Sequence, residues 1–271
     1  MVYTNVWGPS PVPSLGESKF YVTFIDDFSR KVWVYFLEHK SDVFATFKKW
    51  KAKVENQTGL KIKCLRSNNG REYDKLEFKA FGAAEGIQLM RTIPAERMNR
   101  TLNERIKSMR IHSGLAKTLW ADVINTIVYL INRGPLVPLE FNFPEEVWTG
   151  KELKYSNVRT FGCTAYVRVD LEKGDKLDVE PVKFYLIGYD FDMFKYKFWD
   201  DKNRKILRYC DVTFDENVLY KDKKKKDSKT TKQVGVKVEL PKDSTSDVVA
   251  NTQETLETIV EELEVEQVSS E

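Results

Sequence analysis

The sequence predicts an α/β fold for its first half, then a smaller all-β unit and a charged tail. Three observations carry this. Two β-rich runs, Phe20 to Ile25 and Val32 to Leu37, flank the polar stretch Asp26-Asp27-Phe28-Ser29-Arg30 and read as a hairpin. From Val43 to Asn132, apolar residues recur mainly at helical spacing. After Val158 the pattern becomes short β-like runs separated by polar turns, which suits a small barrel or sheet.

Taken in order, Ser41 or Asp42 can cap a helix whose apolar residues Val43, Phe47, Trp50 and Val54 fall at i, i+4, i+7 and i+11. Gly59 ends it. Leu60 to Leu65 reads as a short strand leading into the turn-rich Arg66-Ser67-Asn68-Asn69-Gly70. Leu76 to Ala84 reads as a helix stopping at Gly86, and Ile87 to Ile93 as a strand ending at Pro94. From Ala95 a helix carries Met98, Leu102, Ile106 and Met109 as one apolar stripe. At about 100° per residue, Glu96, Arg100, Asn103 and Lys107 take the opposite face. The helix from Leu119 to Asn132 is apolar almost all round, which predicts burial, and Arg133-Gly134-Pro135 terminates it. Residues 135–157 are punctuated by proline and read as irregular. The later β runs are Thr164–Val169, Phe184–Gly188, Lys195–Trp199 and Lys205–Phe214. Lys223 to Lys226 opens a Ser/Thr/Lys-rich linker. Thr255 to Gln267 is at best a weakly amphipathic acidic helix, and residues 221–271 are expected to be disordered.

Composition narrows the function classes. No apolar run approaches the roughly 18 residues of a membrane span, and Met1 to Ser10 lacks the features of a signal peptide. An intracellular protein, nuclear or cytoplasmic, is expected. Cys64, Cys163 and Cys210 are too scattered for a disulfide framework or zinc module, and the only histidines are His39 and His112. The net charge of +3 hides an asymmetry, because residues 239–271 hold ten acids and one lysine. A basic body with an acidic end suits a polyanion-binding domain carrying a separate tail, or a solvated basic surface with no partner.

Several phrases then occur in a fixed order. They are Val6-Trp7-Gly8-Pro9, Phe24-Ile25-Asp26-Asp27-Phe28-Ser29-Arg30, and Leu65-Arg66-Ser67-Asn68-Asn69-Gly70 with Glu72-Tyr73. Ala95-Glu96-Arg97-Met98-Asn99-Arg100-Thr101-Leu102 and Tyr129-Leu130-Ile131-Asn132-Arg133 follow, then Phe161-Gly162-Cys163, Ile187-Gly188-Tyr189 and Phe198-Trp199-Asp200. This ordered set, over roughly residues 2–220, resembles the integrase core of copia-type retrotransposons, a part of retrovirus-related Pol polyproteins. The resemblance implies an RNase H-like fold, with a mixed five-stranded sheet flanked by helices and a small β domain after it. It divides the chain into a core at 1–134, a connection at 135–157, a β domain at 158–220 and a tail at 221–271. It also implies DNA as partner, self-association, and Mg²⁺ as cofactor for two phosphoryl transfers. That chemistry uses two divalent ions about 3.5–4 Å apart, held by hard carboxylate oxygens.

Laid on this sequence, the family's acidic triad falls on Asn5, Asn68 and Glu96, so one of three carboxylates is retained. Asparagine offers a carbonyl oxygen but no charge. One carboxylate cannot offset the repulsion between two close divalent ions, so no productive metal pair is expected. Asn68 and Glu96 have 27 residues between them. The family has about eight more, in a flexible DNA-facing loop that would precede Ala95. The strand carrying Asn5 begins beside Met1 and reads as clipped. Together these departures predict a decayed, inactive integrase fragment.

Plainer readings stand beside these. Asp26 and Asp27 suit turn capping better than metal binding. Glu72 could substitute as a ligand. Glu96 could be only an i,i+4 partner of Arg100. Trp33, Trp50, Trp120, Trp148 and Trp199 read as core or interface aromatics. Lys48, Lys49, Lys51 and Lys53 lie partly on an exposed helix side, and Arg97, Arg100, Lys107 and Arg110 form a polar face that could contact phosphates. The Lys223 to Lys226 run could be a nuclear-import signal or an ordinary tail feature. Rival functions are an active metal-dependent DNA strand transferase and a scaffold that binds a protein partner through its acidic tail.

Overall fold

The computed structural model describes residues 1–68, 70–91, 95–168, 181–190 and 195–223, with backbone only at 95–97. The linker, the acidic segment, Lys224 to Lys226 and the connection before Ala95 lie outside the described residues, as do the expectations placed on them.

The first sheet has the order β3-β2-β1-β4-β5, from β1 (Val2–Trp7), β2 (Phe20–Asp26), β3 (Val32–Leu37), β4 (Cys64–Ser67) and β5 (Gln88–Arg91). β1, β2 and β3 are antiparallel, while β4 runs parallel to β1 and β5 to β4, so the expected mixed five-stranded sheet is present. β1 pairs with β2 from Val2–Asp26 to Trp7–Tyr21, so the strand read as clipped is paired along its whole length. The expected strand at Leu60–Leu65 is displaced to Cys64–Ser67. Leu60 is exposed, whereas Ile62 and Leu65 are both buried in the core beneath, Ile62 ahead of the strand and Leu65 within it.

Two-residue alternation sends the sheet's side chains to two cores. On one face Val2, Val22, Phe24 and Leu37 pack against α1 (Val43–Thr58) and α2 (Leu76–Ala84). Trp50 stacks on Phe24, with ring centroids 4.3 Å apart. Lys51 departs from the exposed position expected of it. It is buried, with its ammonium 2.8 Å from both Glu55 and Glu85. Asp42 precedes α1 but does not cap it, because its carboxylate accepts from the His39 amide. On the other face Tyr3, Trp7, Tyr21, Ile25 and Val32 meet α3 (Ala95–Ser113) and α4 (Trp120–Asn132).

α4 is buried from two sides, as its all-round apolar pattern predicts. Its far side meets Tyr185, Ile187 and Trp199 of a second, antiparallel sheet. That sheet has the order β10-β6-β7-β8-β9, built from β6 (Cys163–Val167), β7 (Val182–Asp190), β8 (Lys195–Asp200), β9 (Lys205–Tyr209) and β10 (Thr213–Leu219). The run expected at Lys205–Phe214 is thus two strands on opposite edges. Residues 135–157 are less irregular than expected, since α5 (Pro144–Thr149) and a 3-10 turn at Val137–Leu139 fall within them. Gly188 lets β7 approach α4, since a Cβ there would stand 2.9 Å from Thr126 Oγ1. No described helix is long and apolar enough to cross a membrane.

The Asp26 to Arg30 phrase is a self-capped turn. Asp26 Oδ2 accepts from the Ser29 amide and hydroxyl, both at 2.8 Å, and Arg30 pairs with Asp27 at 3.1 Å. The capping reading therefore holds for Asp26, while Asp27 makes a part-exposed ion pair. Trp50, Trp120 and Trp199 are buried, and Trp33 and Trp148 pack on the α1 core.

Candidate functional site

A cleft of about 510 Å³ opens where β1, the end of β4 and α3 meet. Asn5, Trp7, Asn68, Asn99, Arg100, Asn103, Glu104 and Lys107 line it, together with Val6. Alternation places Asn5 on the α3 face of the sheet, between Tyr3 and Trp7. Asn68 follows the last residue of the parallel neighbour β4, so the two asparagines arrive side by side. Asn68 Nδ2 donates to Asn5 Oδ1 at 2.7 Å, and Asn68 Oδ1 accepts from the Gly70 amide at 3.2 Å.

α3 closes the other wall. Thr23, on β2 beside Asn5, donates its hydroxyl toward Asn99 Oδ1 at 3.1 Å and the Asn5 carbonyl at 3.3 Å. One turn on, the Tyr21 hydroxyl donates to Asn103 Oδ1 at 3.4 Å. Burial pushes the Tyr21 phenol well above its ordinary pKa, outweighing that hydrogen bond. Arg100 pairs with Glu104 at 3.2 Å, and both are exposed.

The structure brings Asn5 and Asn68 into contact and puts Glu96 in the first turn of α3, where only backbone is described. Arg100 and Lys107 reach the cleft. Arg110 is half-buried and does not line it, and the Arg97 side chain lies outside the described residues. Arg100 makes an i,i+4 pair with Glu104, and the reading that pairs it with Glu96 lies outside the described residues. Glu72 does not line the cleft. Its buried carboxylate stands 3.1 Å from Lys40 Nζ, at ion-pair distance but outside hydrogen-bond geometry. Its use as a substitute ligand finds no support there. Among the described residues, no three or more His, Cys, Asp or Glu side chains cluster at metal-binding distance.

Sequence reasoning missed Asn99 as a lining residue. It stands at i−3 from Leu102, on the edge of the buried stripe, and that spacing was the available signal.

Comparison with known proteins follows the same lines. The family model for the retroviral polymerase SH3-like domain matches residues 163–229. The retrovirus-related Pol polyprotein from transposon TNT 1-94 of Nicotiana tabacum is 45% identical over 225 residues, covering 80% of this chain. That from transposon RE2 of Arabidopsis thaliana is 30% identical over 79% of the chain. The chain spans 17% and 15% of the length of these two relatives. Among solved structures, the catalytic core of the HTLV-2 integrase in complex with magnesium, in a trimeric form, is similar over 54% of this chain and 93% of that one. The TM-score is 0.41, with 15% identity. By sequence, this chain is similar over most of its length to a segment of the retrovirus-related Pol polyproteins of transposons.

Proposed function

We propose that this chain is an integrase-like segment whose cleft binds DNA and supports no metal-dependent strand chemistry. One observation carries the reading. At the two positions where the resemblance places metal-binding aspartates, two asparagines hydrogen-bond to each other at 2.7 Å. Mg²⁺ in the family would be held by the residues at positions 5, 68 and 96. Here the amide oxygens of the first two already accept hydrogen bonds, and neither carries charge. This donor set does not fit a hard divalent cation, which favours ionised carboxylates. The connection before α3 adds to the mismatch, since only three residues separate Arg91 from Ala95. The division into a core at 1–134, a connection, a β domain at 158–220 and a tail belongs to the same reading, as does self-association.

Binding is expected to be sequence-independent and salt-sensitive, with Arg100 and Lys107 contacting phosphates. In fluorescence anisotropy with labelled duplex DNA, Arg100→Ala and Lys107→Ala should each reduce the slope of log K against log salt by about 0.9. Slopes equal to that of the unsubstituted chain would remove these residues from the interface. A chain with no affinity for duplex DNA would refute the binding reading.

A further inference from the structure

We infer that the cleft takes a nucleic-acid phosphodiester directly, with no divalent cation between protein and phosphate. This rests on the proposed DNA binding and specifies its chemistry. All four asparagines in the cleft have their amide oxygens engaged. Asn5 accepts from Asn68, Asn68 from the Gly70 amide, Asn99 from Thr23 and Asn103 from Tyr21. Their nitrogens are disposed differently. Asn99 is 4% exposed, and its Nδ2 is buried without a partner. Among the described residues, nothing accepts from Asn5 Nδ2 or Asn103 Nδ2 either. The site therefore offers N–H donors, and its uncharged amide oxygens each already accept a hydrogen bond, which suits an anion better than a hard divalent cation.

Charge points the same way. Arg100 and Lys107 line the cleft, opposed by Glu104 beside them. These three formal charges leave one positive. Aspartates at positions 5 and 68 would turn this into a surplus of one negative charge, repelling a phosphate unless a metal stood between. Loss of the two carboxylates thus removes the need for metal in binding as well as the means for metal in catalysis. The Asn5–Asn68 bond also ties β1 to the end of β4 without an ion.

The test is anisotropy of labelled duplex DNA with the full chain, in EDTA and in Mg²⁺ at matched ionic strength. The unsubstituted chain should bind in EDTA at least as tightly as in Mg²⁺. The double substitution Asn5→Asp with Asn68→Asp should weaken binding in EDTA by about tenfold or more, the effect of two like charges a few ångströms from a phosphate. If circular dichroism shows that this variant is unfolded, Asn103→Asp on the half-exposed face of α3 serves instead, with an expected loss of about threefold or more. Binding that requires Mg²⁺, or a folded aspartate variant that binds in EDTA like the unsubstituted chain, would overturn the inference and leave DNA binding standing. Absence of binding in both buffers would overturn DNA binding itself, and the inference with it.

Discussion

Asn132→Ala is expected to destabilise the fold by about 2–4 kcal/mol, the sum of two lost hydrogen bonds and two buried backbone groups left unpaired. Asn132, at the end of α4, acts as a strand partner in miniature. Its Oδ1 accepts from the Val32 amide and its Nδ2 donates to the Val32 carbonyl, both at 2.8 Å, on the outer edge of the sheet. A capped edge strand is withheld from pairing with another chain, so the variant should also aggregate more readily. Urea unfolding followed by circular dichroism checks this. The exposed Asn142, which only donates to the Leu139 carbonyl, is the control, and Asn142→Ala should cost less than about 1 kcal/mol. Equal midpoints for the two variants would show that the Asn132 bonds do not form.

Gly162→Ala should cost a similar amount, about 2–5 kcal/mol, in two separable parts. Gly162 has φ +80, where an L residue costs roughly 1–2 kcal/mol. A Cβ there would lie 2.5 Å from Cβ of Ser113, a fully buried residue at the end of α3, adding an overpacking cost of about 1–3 kcal/mol. The backbone cannot yield easily. The Gly162 amide donates to the Leu186 carbonyl at 2.8 Å, and its own carbonyl accepts from Tyr220 at 3.0 Å. Adding Ser113→Gly to the variant should recover the overpacking part and leave the backbone part. No recovery in thermal melts of the pair would show that the contact with α3 is absent.

These two residues also show how much was legible in the sequence. Asn132 and Gly162 stand inside phrases that carried the resemblance, yet nothing in the phrases reveals that one closes a sheet edge and the other admits a helix. Such roles depend on residues about a hundred and about fifty positions away, Val32 and Ser113. The hairpin, α1, α2 and α4 were readable because their apolar periodicity matches one buried face, or in α4 burial from both sheets. β1 was harder. Val2 packs toward α1 while Tyr3 and Trp7 pack toward α4, so a strand buried on both faces shows no simple alternation. Lys51 was misjudged by its chemistry and not by its position. It lies four residues after Phe47 and three before Val54, on the apolar stripe, where Glu55 and Glu85 meet its charge. At the candidate site, the sequence named Asn5, Asn68, Arg100 and Lys107. The orientation of the amides was invisible to it, because that depends on Thr23 and Tyr21 of a neighbouring strand.

The most direct test of the central claim is a strand-transfer assay with the full chain, a labelled donor DNA end and a target duplex, in Mg²⁺ and in Mn²⁺. The account predicts that DNA is bound and that no joined product forms in either metal. Joined product that appears with metal and disappears in Glu96→Gln would contradict it, because a cleft whose asparagines present N–H donors would then be holding a working metal site.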